Sequence, residues 1–295
     1  MQKYKKTSIF VPNYLCMIKM KYIFTCLLLL SATLSTFSQS PGYMEWVDRS
    51  AEYIENNQLD SAAIALYNAM SLEPANENNP VLLLNLGILQ RQLRHYDDAY
   101  ISFTSSLTSN PIPDIVLHNR ASLLVELGRF DEAMEDYDAI LADFPHDIEA
   151  FYRRGLLHLE NHNRAKAEAD FKRSEEIDPD NMYTKLSKAL IFKLDNNWEA
   201  AGGIYTDLIE NELNPDLIFY LNRAECYVNT NQMFKASADL RSLGDTQRNN
   251  PYFYFLRGRV RLEQFDKTAA KADFEKAKEL GYDSSIVDDW LKKTK

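Results

Sequence analysis

NLGILQRQLRHYDDAYISFTSSLTSNP, residues 85–111, sets out one unit of a pattern that the rest of the chain repeats. Leu86–Gly87 is an apolar–small pair, and Ala99, Phe103 and Pro111 follow it. Thirty-four residues on, Ala121, Ala133, Tyr137 and Pro145 take the slots of Gly87, Ala99, Phe103 and Pro111. The next copy supplies Gly155, Ala167, Phe171 and Pro179. An earlier copy begins at Tyr43, with Trp46, Tyr53, Ala62, Leu66 and Pro74 in place. Later copies start near Met182, Leu217 and Pro251. They carry Ala189, Ala201 and Tyr205; then Ala224, Ala236 and Leu240; then Gly258, Ala270 and Phe274. The near-identical pentads AEADF (167–171) and AKADF (270–274) are one register met three units apart.

The departures from the period carry expectations of their own. Three extra residues, ENN at 77–79, separate the first two copies, and one extra residue follows the fifth, where Pro215 falls late. Gly202–Gly203 lies inside the second helix of that fifth copy. Each Gly costs about 1 kcal/mol against Ala in a helix interior, so the weakest or most bent helix is expected there. Gly281 stands where the last copy lacks a closing proline.

The pattern resembles the tetratricopeptide repeat, in which Trp, Leu-Gly, Tyr, Ala, Phe and Pro recur over 34 residues. The resemblance covers residues 43–284, and seven copies in near-constant phase make it specific. It implies an all-α fold, an α-solenoid of about seven helix-turn-helix repeats across residues 39–284. These start near residues 43, 80, 114, 148, 182, 217 and 251. Small residues let the two helices approach, and prolines such as Pro111, Pro145 and Pro179 stop one unit before the next. One unit cannot bury its own apolar face, so units stack. Residues 285–295 fit a capping helix, with Ser285 and Asp288 as a capping box and Ile286 and Trp290 as an i, i+4 pair.

Arg120, Arg154, Arg223 and Arg257 precede the small residue of the first helix in four copies. The same four carry Asp136, Asp170, Asp239 and Asp273 in the second helix; the second copy has Leu86 and Ser102, losing both together. Arg–Asp pairs bridging the helices follow, either within a unit or to its neighbour.

Residues 1–38 read as a leader. They hold five lysines and no acid, then the apolar run YIFTCLLLL (22–30), then small residues at Thr36 and Ser38. That order is a secretory signal peptide with cleavage after Ser38, or else a retained anchor. Met17 and Met20 are alternative starts, and the residues around Cys26 do not suit a lipid-attachment site. Export to a periplasmic or extracellular setting in a bacterial envelope is expected, with membrane anchoring through an uncleaved leader as the alternative. Beyond the leader, 28 basic residues face 43 acidic ones. An acidic surface repels phosphate backbones, so neither nucleic acid nor an anionic membrane is an expected partner. No membrane insertion of the mature chain is expected. Cys226 is then the lone cysteine, and the fold must be held by packing.

In a tetratricopeptide superhelix the face of the first helices opposite their packed side lines the concave groove. Here that face holds Val81, Asn85, Ile88 and Gln92; Ile115, Asn119, Ser122 and Glu126; and Glu149, Arg153, Leu156 and Glu160. Beyond these it holds Tyr183, Ser187, Leu190 and Leu194; Ile218, Asn222, Glu225 and Asn229; and Tyr252, Leu256, Arg259 and Glu263. Either these residues are inter-repeat core or they form an apolar–polar groove for an extended peptide. Asn85, Asn119 and Asn222 share one phase, and an amide pairs with both groups of a peptide backbone. Similar asparagine ladders serve peptide backbones in some tetratricopeptide proteins; Arg153 and Ser187 interrupt this one. The candidate groove residues are Asn85, Ile88, His118, Asn119, Arg153, Tyr183, Asn222 and Tyr252.

Neither a phosphate-cradling GxxxxGK loop, a GxSxG elbow nor an HExxH helix occurs. His158 and His162 have metal-compatible spacing but no Cys or third His near in sequence, and His118 reads as a hydrogen-bonding contact rather than a base. No catalytic residue, metal site or cofactor is therefore assigned. The function expected is a non-catalytic scaffold binding an extended peptide or partner segment in the groove. The alternative is a structural or assembly component of an envelope complex, using its convex surface or ends. A glycan binder needs more stacking aromatics than Tyr183 and Tyr252.

Overall fold

Seven of the nine positive-φ residues among those described display the period directly. Positive φ occurs at Asn57, Arg94, Gly128, His162, Asn196, Asn231 and Phe265, at intervals of 37, 34, 34, 34, 35 and 34 residues. Each sits in a short turn between one helix and the next along the chain. The structure, a computed structural model, describes residues 41–247 and 249–295; the leader read at 1–38 lies outside them. Among the described residues there are fifteen α-helices, a 3-10 turn at Gly244–Gln247 and no strand. They fall into two compact units that divide between Asn163 and Arg164.

The first unit holds α1 (Pro41–Glu55), α2 (Leu59–Leu72), α3 (Asn79–Gln92), α4 (Tyr96–Ser106), α5 (Pro113–Glu126), α6 (Phe130–Asp143) and α7 (Ile148–Glu160). First helices α1, α3 and α5 pack on second helices α2, α4 and α6, and each second helix also packs on the next first helix. The inserted Asn79 knits the first link. It accepts from the Tyr43 hydroxyl at 3.1 Å, and its amide donates to the carbonyls of Glu73 and Pro74 at 2.8 and 3.1 Å.

The second unit holds α8 (Arg164–Ile177), α9 (Met182–Leu194), α10 (Trp198–Glu210), α11 (Leu217–Asn229), α12 (Met233–Leu243), α13 (Pro251–Glu263), α14 (Lys267–Glu279) and α15 (Ser284–Lys293). Packing alternates in the same way, and α15 closes the series against α14. Phe255, Phe274, Tyr282 and Val287 form the terminal core, with Ile286 and Trp290 of α15 packed on it.

The small–aromatic slots are close approaches. A Cβ on Gly87 would lie 2.6 Å from the Phe103 ring, and one on Gly258 would lie 2.7 Å from Phe274. Both rings are fully buried. The paired glycines of α10 do not interrupt that helix, which runs from Trp198 to Glu210. Gly202 is buried where α10 meets α11, its Cβ position 3.3 Å from the Cβ of Cys226, whereas Gly203 faces open space.

Three of the expected arginine–aspartate pairs are two-pronged clamps within a hairpin. Arg120 donates Nε and Nη2 to Asp136 at 3.0 and 2.6 Å, and Arg223 to Asp239 at 2.8 and 2.7 Å. Arg257 binds Asp273 at 3.0 and 2.7 Å, and Arg261 adds a 2.7 Å bond to the same carboxylate. The free prong reaches the preceding second helix. Arg120 Nη1 meets Thr104 at 3.2 Å, Arg154 Nη1 meets Asp138 at 2.7 Å and Arg223 Nη1 meets Thr206 at 3.5 Å. Arg120 and Arg223 therefore each tie their own hairpin to the helix before it.

The last helix starts differently from the expected capping box. Asp283, not Ser285, is its N-cap: the carboxylate accepts from the amides of Ser285 and Ile286 at 2.8 and 3.3 Å. The Ser285 hydroxyl donates to the same oxygen at 2.6 Å, and Asp288 pairs with Lys278. The helix begins at Ser284, two residues earlier than the box requires, and a carboxylate suits the positive end of the helix dipole.

Candidate partner-binding face

In the first unit the face is built by α3, α5 and α7. Ile88 and Ile115 are half-buried on a core of Leu84, Phe103, Val116 and Leu123. Asn119 is half-buried, and its amide donates to the carbonyl of Ile115 at 2.8 Å. Asn85 is only 8% exposed, and its Nδ2 has no hydrogen-bond partner. The cations here come paired: Arg91 with Glu126 at 2.9 Å and the buried Arg153 with Glu149 at 2.6 Å. Nε2 of His118 lies 2.9 Å from Asp147, whose other oxygen caps α7 through the Ala150 amide at 2.8 Å. Burial pushes the Asp147 carboxyl up, but His118 and the backbone amides outweigh it and hold it below the usual range.

In the second unit the face is built by α9, α11 and α13. Tyr183 is buried, and its carbonyl accepts from the Ser187 hydroxyl at 2.9 Å. Asn222 is buried too. Its amide donates to the carbonyl of Ile218 at 3.0 Å, and its oxygen accepts from Lys193 Nζ at 3.0 Å. Lys193 also forms an ion pair with Glu225, and both residues are buried. Burial pulls the Lys193 ammonium down, and the Glu225 carboxylate more than reverses this, leaving it raised. Tyr252, half-buried, stacks on Tyr282 at 6.0 Å between ring centroids.

The three asparagines thus do not offer a row of free amides. Asn119 and Asn222 spend their NH2 groups on their own helix one turn back, as the Ser187 hydroxyl does in the same phase. The side chains of the expected set that remain half-exposed are Ile88, His118, Asn119 and Tyr252. Sequence reasoning placed Glu225 on this face but missed Lys193 and the Asp147 partner of His118. The available signal was a lone lysine inside the apolar run ALIFKL, residues 189–194.

Sequence profiles described as tetratricopeptide repeat match residues 118–181 and 251–280. The chain is 26% identical over 166 residues to the DnaJ homolog subfamily C member 7 homolog of Dictyostelium discoideum. That alignment takes in 52% of this chain but only 30% of the relative's length. Among solved structures, the chain is similar to a tetratricopeptide repeat protein from Parabacteroides merdae, at 34% identity and a TM-score of 0.65. That match covers 86% of this chain and 99% of that one. The Cut9–Hcn1 hetero-tetramer of the APC/C shares the fold at 14% identity and a TM-score of 0.63, over 80% of this chain and 52% of that one.

Proposed function

The chain belongs to the tetratricopeptide repeat family, whose members generally act as protein-interaction scaffolds, and on that premise we propose that it is a non-catalytic scaffold taking an extended partner segment along its first helices. The observation that carries this reading is the state of the face between α3 and α5. Ile88, Ile115, His118 and Asn119 lie there half-exposed, while the charged groups around them are already held in pairs. A face whose polar groups are fixed before binding loses little side-chain entropy when a partner arrives. The leader pattern supports export to a bacterial envelope, and the formal net charge of −10 disfavours nucleic acid. Among the described residues no helix is long and apolar enough to cross a membrane.

A second reading, as an assembly component using the outer surface, draws on the second helices of the first two hairpins. Ile64 and Ile101 occupy the same phase, 37 residues apart, and both are 61% exposed; Tyr67 is 64% exposed. Affinity capture from envelope extract separates the two readings. The full chain is compared with Ile88→Gln/Asn119→Ala and with Ile64→Gln/Ile101→Gln, each checked for unchanged helicity. Loss of partners in the first variant alone supports the first-helix face. Loss in the second alone moves the interface to the outer surface and overturns the proposal.

A further inference from the structure

The repeat sets its own standard for what an exposed slot holds. Seven residues past each periodic positive-φ position, the following helix turns a side chain to solvent. Five of those helices place Glu135, Ala169, Gly203, Ala238 and Ala272 there, whereas α2 and α4 place Ile64 and Ile101. Three residues on, Tyr67 of α2 is exposed where later helices carry Asp138, Lys172 and Arg241. One turn before each isoleucine stands an exposed acid, Asp60 or Asp97, with Asp98 beside the latter. Neither helix carries a basic residue, and among the described residues these three acids make no ion pair. The outer face of the first two hairpins is thus apolar with an acidic margin.

The opposite departure falls in the last two hairpins. Three residues past the positive-φ position, four helices carry an acid in their first turn, where it suits the helix dipole: Asp60, Asp97, Asp131 and Glu199. In that slot α12 carries Phe234, 88% exposed, with the exposed Lys235 next to it. Before α14 the positive-φ position itself holds the exposed Phe265, with Lys267 two residues on. Neither α12 nor α14 has an acid in its first turn, and Asp266 is engaged as the N-cap of α14, accepting from the Ala269 amide at 3.0 Å. Lys235 Nζ lies 5.4 Å from the Tyr227 ring centroid, and Lys267 donates to the Lys295 carbonyl at 3.1 Å. Neither lysine makes an ion pair among the described residues. Phe234 forgoes a favourable charge and Phe265 strains its backbone, and neither gains burial in return.

We propose that the Phe234–Phe265 edge of one copy docks on the outer face of α2 and α4 of a second copy of this chain. The phenylalanines cover Ile64, Tyr67 and Ile101, and Lys235 and Lys267 meet the unpaired acids at the margin. Apolar centre and charged rim are then complementary in both respects. Five large apolar side chains make an interface at the small end of specific ones, below about 1,200 Å² in total, so association is weak. The two halves differ, so the contact is heterologous and each copy keeps one half unused. The inference goes beyond the partner-segment reading, since the first-helix face of every copy stays free. A copy caught through the outer face contains only this chain, which tells it from a partner.

The test is the mass of the full chain in solution by sedimentation equilibrium, up to about 100 μM. Two variants each lose one half of the interface: Phe234→Asp/Phe265→Gly and Ile64→Gln/Ile101→Gln. The first restores an acid to its slot and relieves a left-handed phenylalanine, so it folds at least as well as the wild type; unchanged helicity checks the second. Wild-type mass is expected to climb past two copies as concentration rises. Each variant alone is expected to stay at one copy. An equimolar mixture should form pairs and stop there, because one intact contact joins the two variants and no further copy can add. A wild-type chain that stays at one copy overturns the proposal, as does association that persists in either variant alone. Variants that stay single when mixed exclude a heterologous contact and overturn it too.

Discussion

Arg223 and Asp239 face each other across the α11–α12 hairpin through two bonds of 2.8 and 2.7 Å, with the carboxylate side chain 8% exposed. The pair fixes how the two helices register, and hydrogen bonds to charged groups contribute about 1.5–3 kcal/mol each. Asp239→Asn leaves the arginine half-buried with a neutral partner. A loss of about 2 kcal/mol in urea unfolding is predicted. Asp273→Asn should cost more, because both Arg257 and Arg261 depend on that carboxylate.

Glycines in this chain predict opposite outcomes by position. Gly258→Ala pushes a methyl against Phe274 and should cost about 1–3 kcal/mol. Gly203→Ala meets nothing and should gain about 1 kcal/mol from helix propensity. Phe265, 90% exposed at a φ of 65°, should be stabilised by Phe265→Gly for the same kind of reason. Thermal unfolding of the three variants checks all three signs.

Lys193 and Glu225 are 3% and 6% exposed. Lys193→Met strands the carboxylate in the interior and should cost about 3–5 kcal/mol. Lys193→Met/Glu225→Leu removes both charges and should recover most of that loss. A double-mutant cycle in denaturant reads the coupling, and strictly additive losses would contradict a buried pair.

Alkaline pH should unfold the chain through two buried weak acids. Burial pushes the Cys226 thiol up to about 12 and the Tyr137 hydroxyl up to about 12. In the unfolded chain they release their protons near about 8.5 and 10. The native state therefore holds more protons across that window, and stability falls as pH rises from about 8.5 towards 12. Cys226→Ala should flatten the first part of the decline, measured as Tm against pH.

Fold-level information was legible because it is written in spacing. Small–aromatic slots such as Gly87–Phe103 and paired columns such as Arg120–Asp136 recur, and recurrence survives without coordinates. The site was less legible because it depends on side-chain direction within one residue. Asn119 and Asn222 lie in the expected phase, yet their amides turn back to their own helices, a choice that phase alone does not encode. Lys193 sits one position from the phase used to trace the face, and an apolar run conceals its pairing with a carboxylate 32 residues away. Asp283 caps α15 because the helix starts two residues earlier than a box motif suggests.

The central claim is that partners lie along the first helices. Site-specific photocrosslinking tests it most directly, with a benzophenone amino acid placed at Asn119 or, separately, at the outward Ile101 in the full chain. The account predicts a discrete crosslinked partner band from Asn119 and none from Ile101. A partner band from Ile101 alone would contradict it.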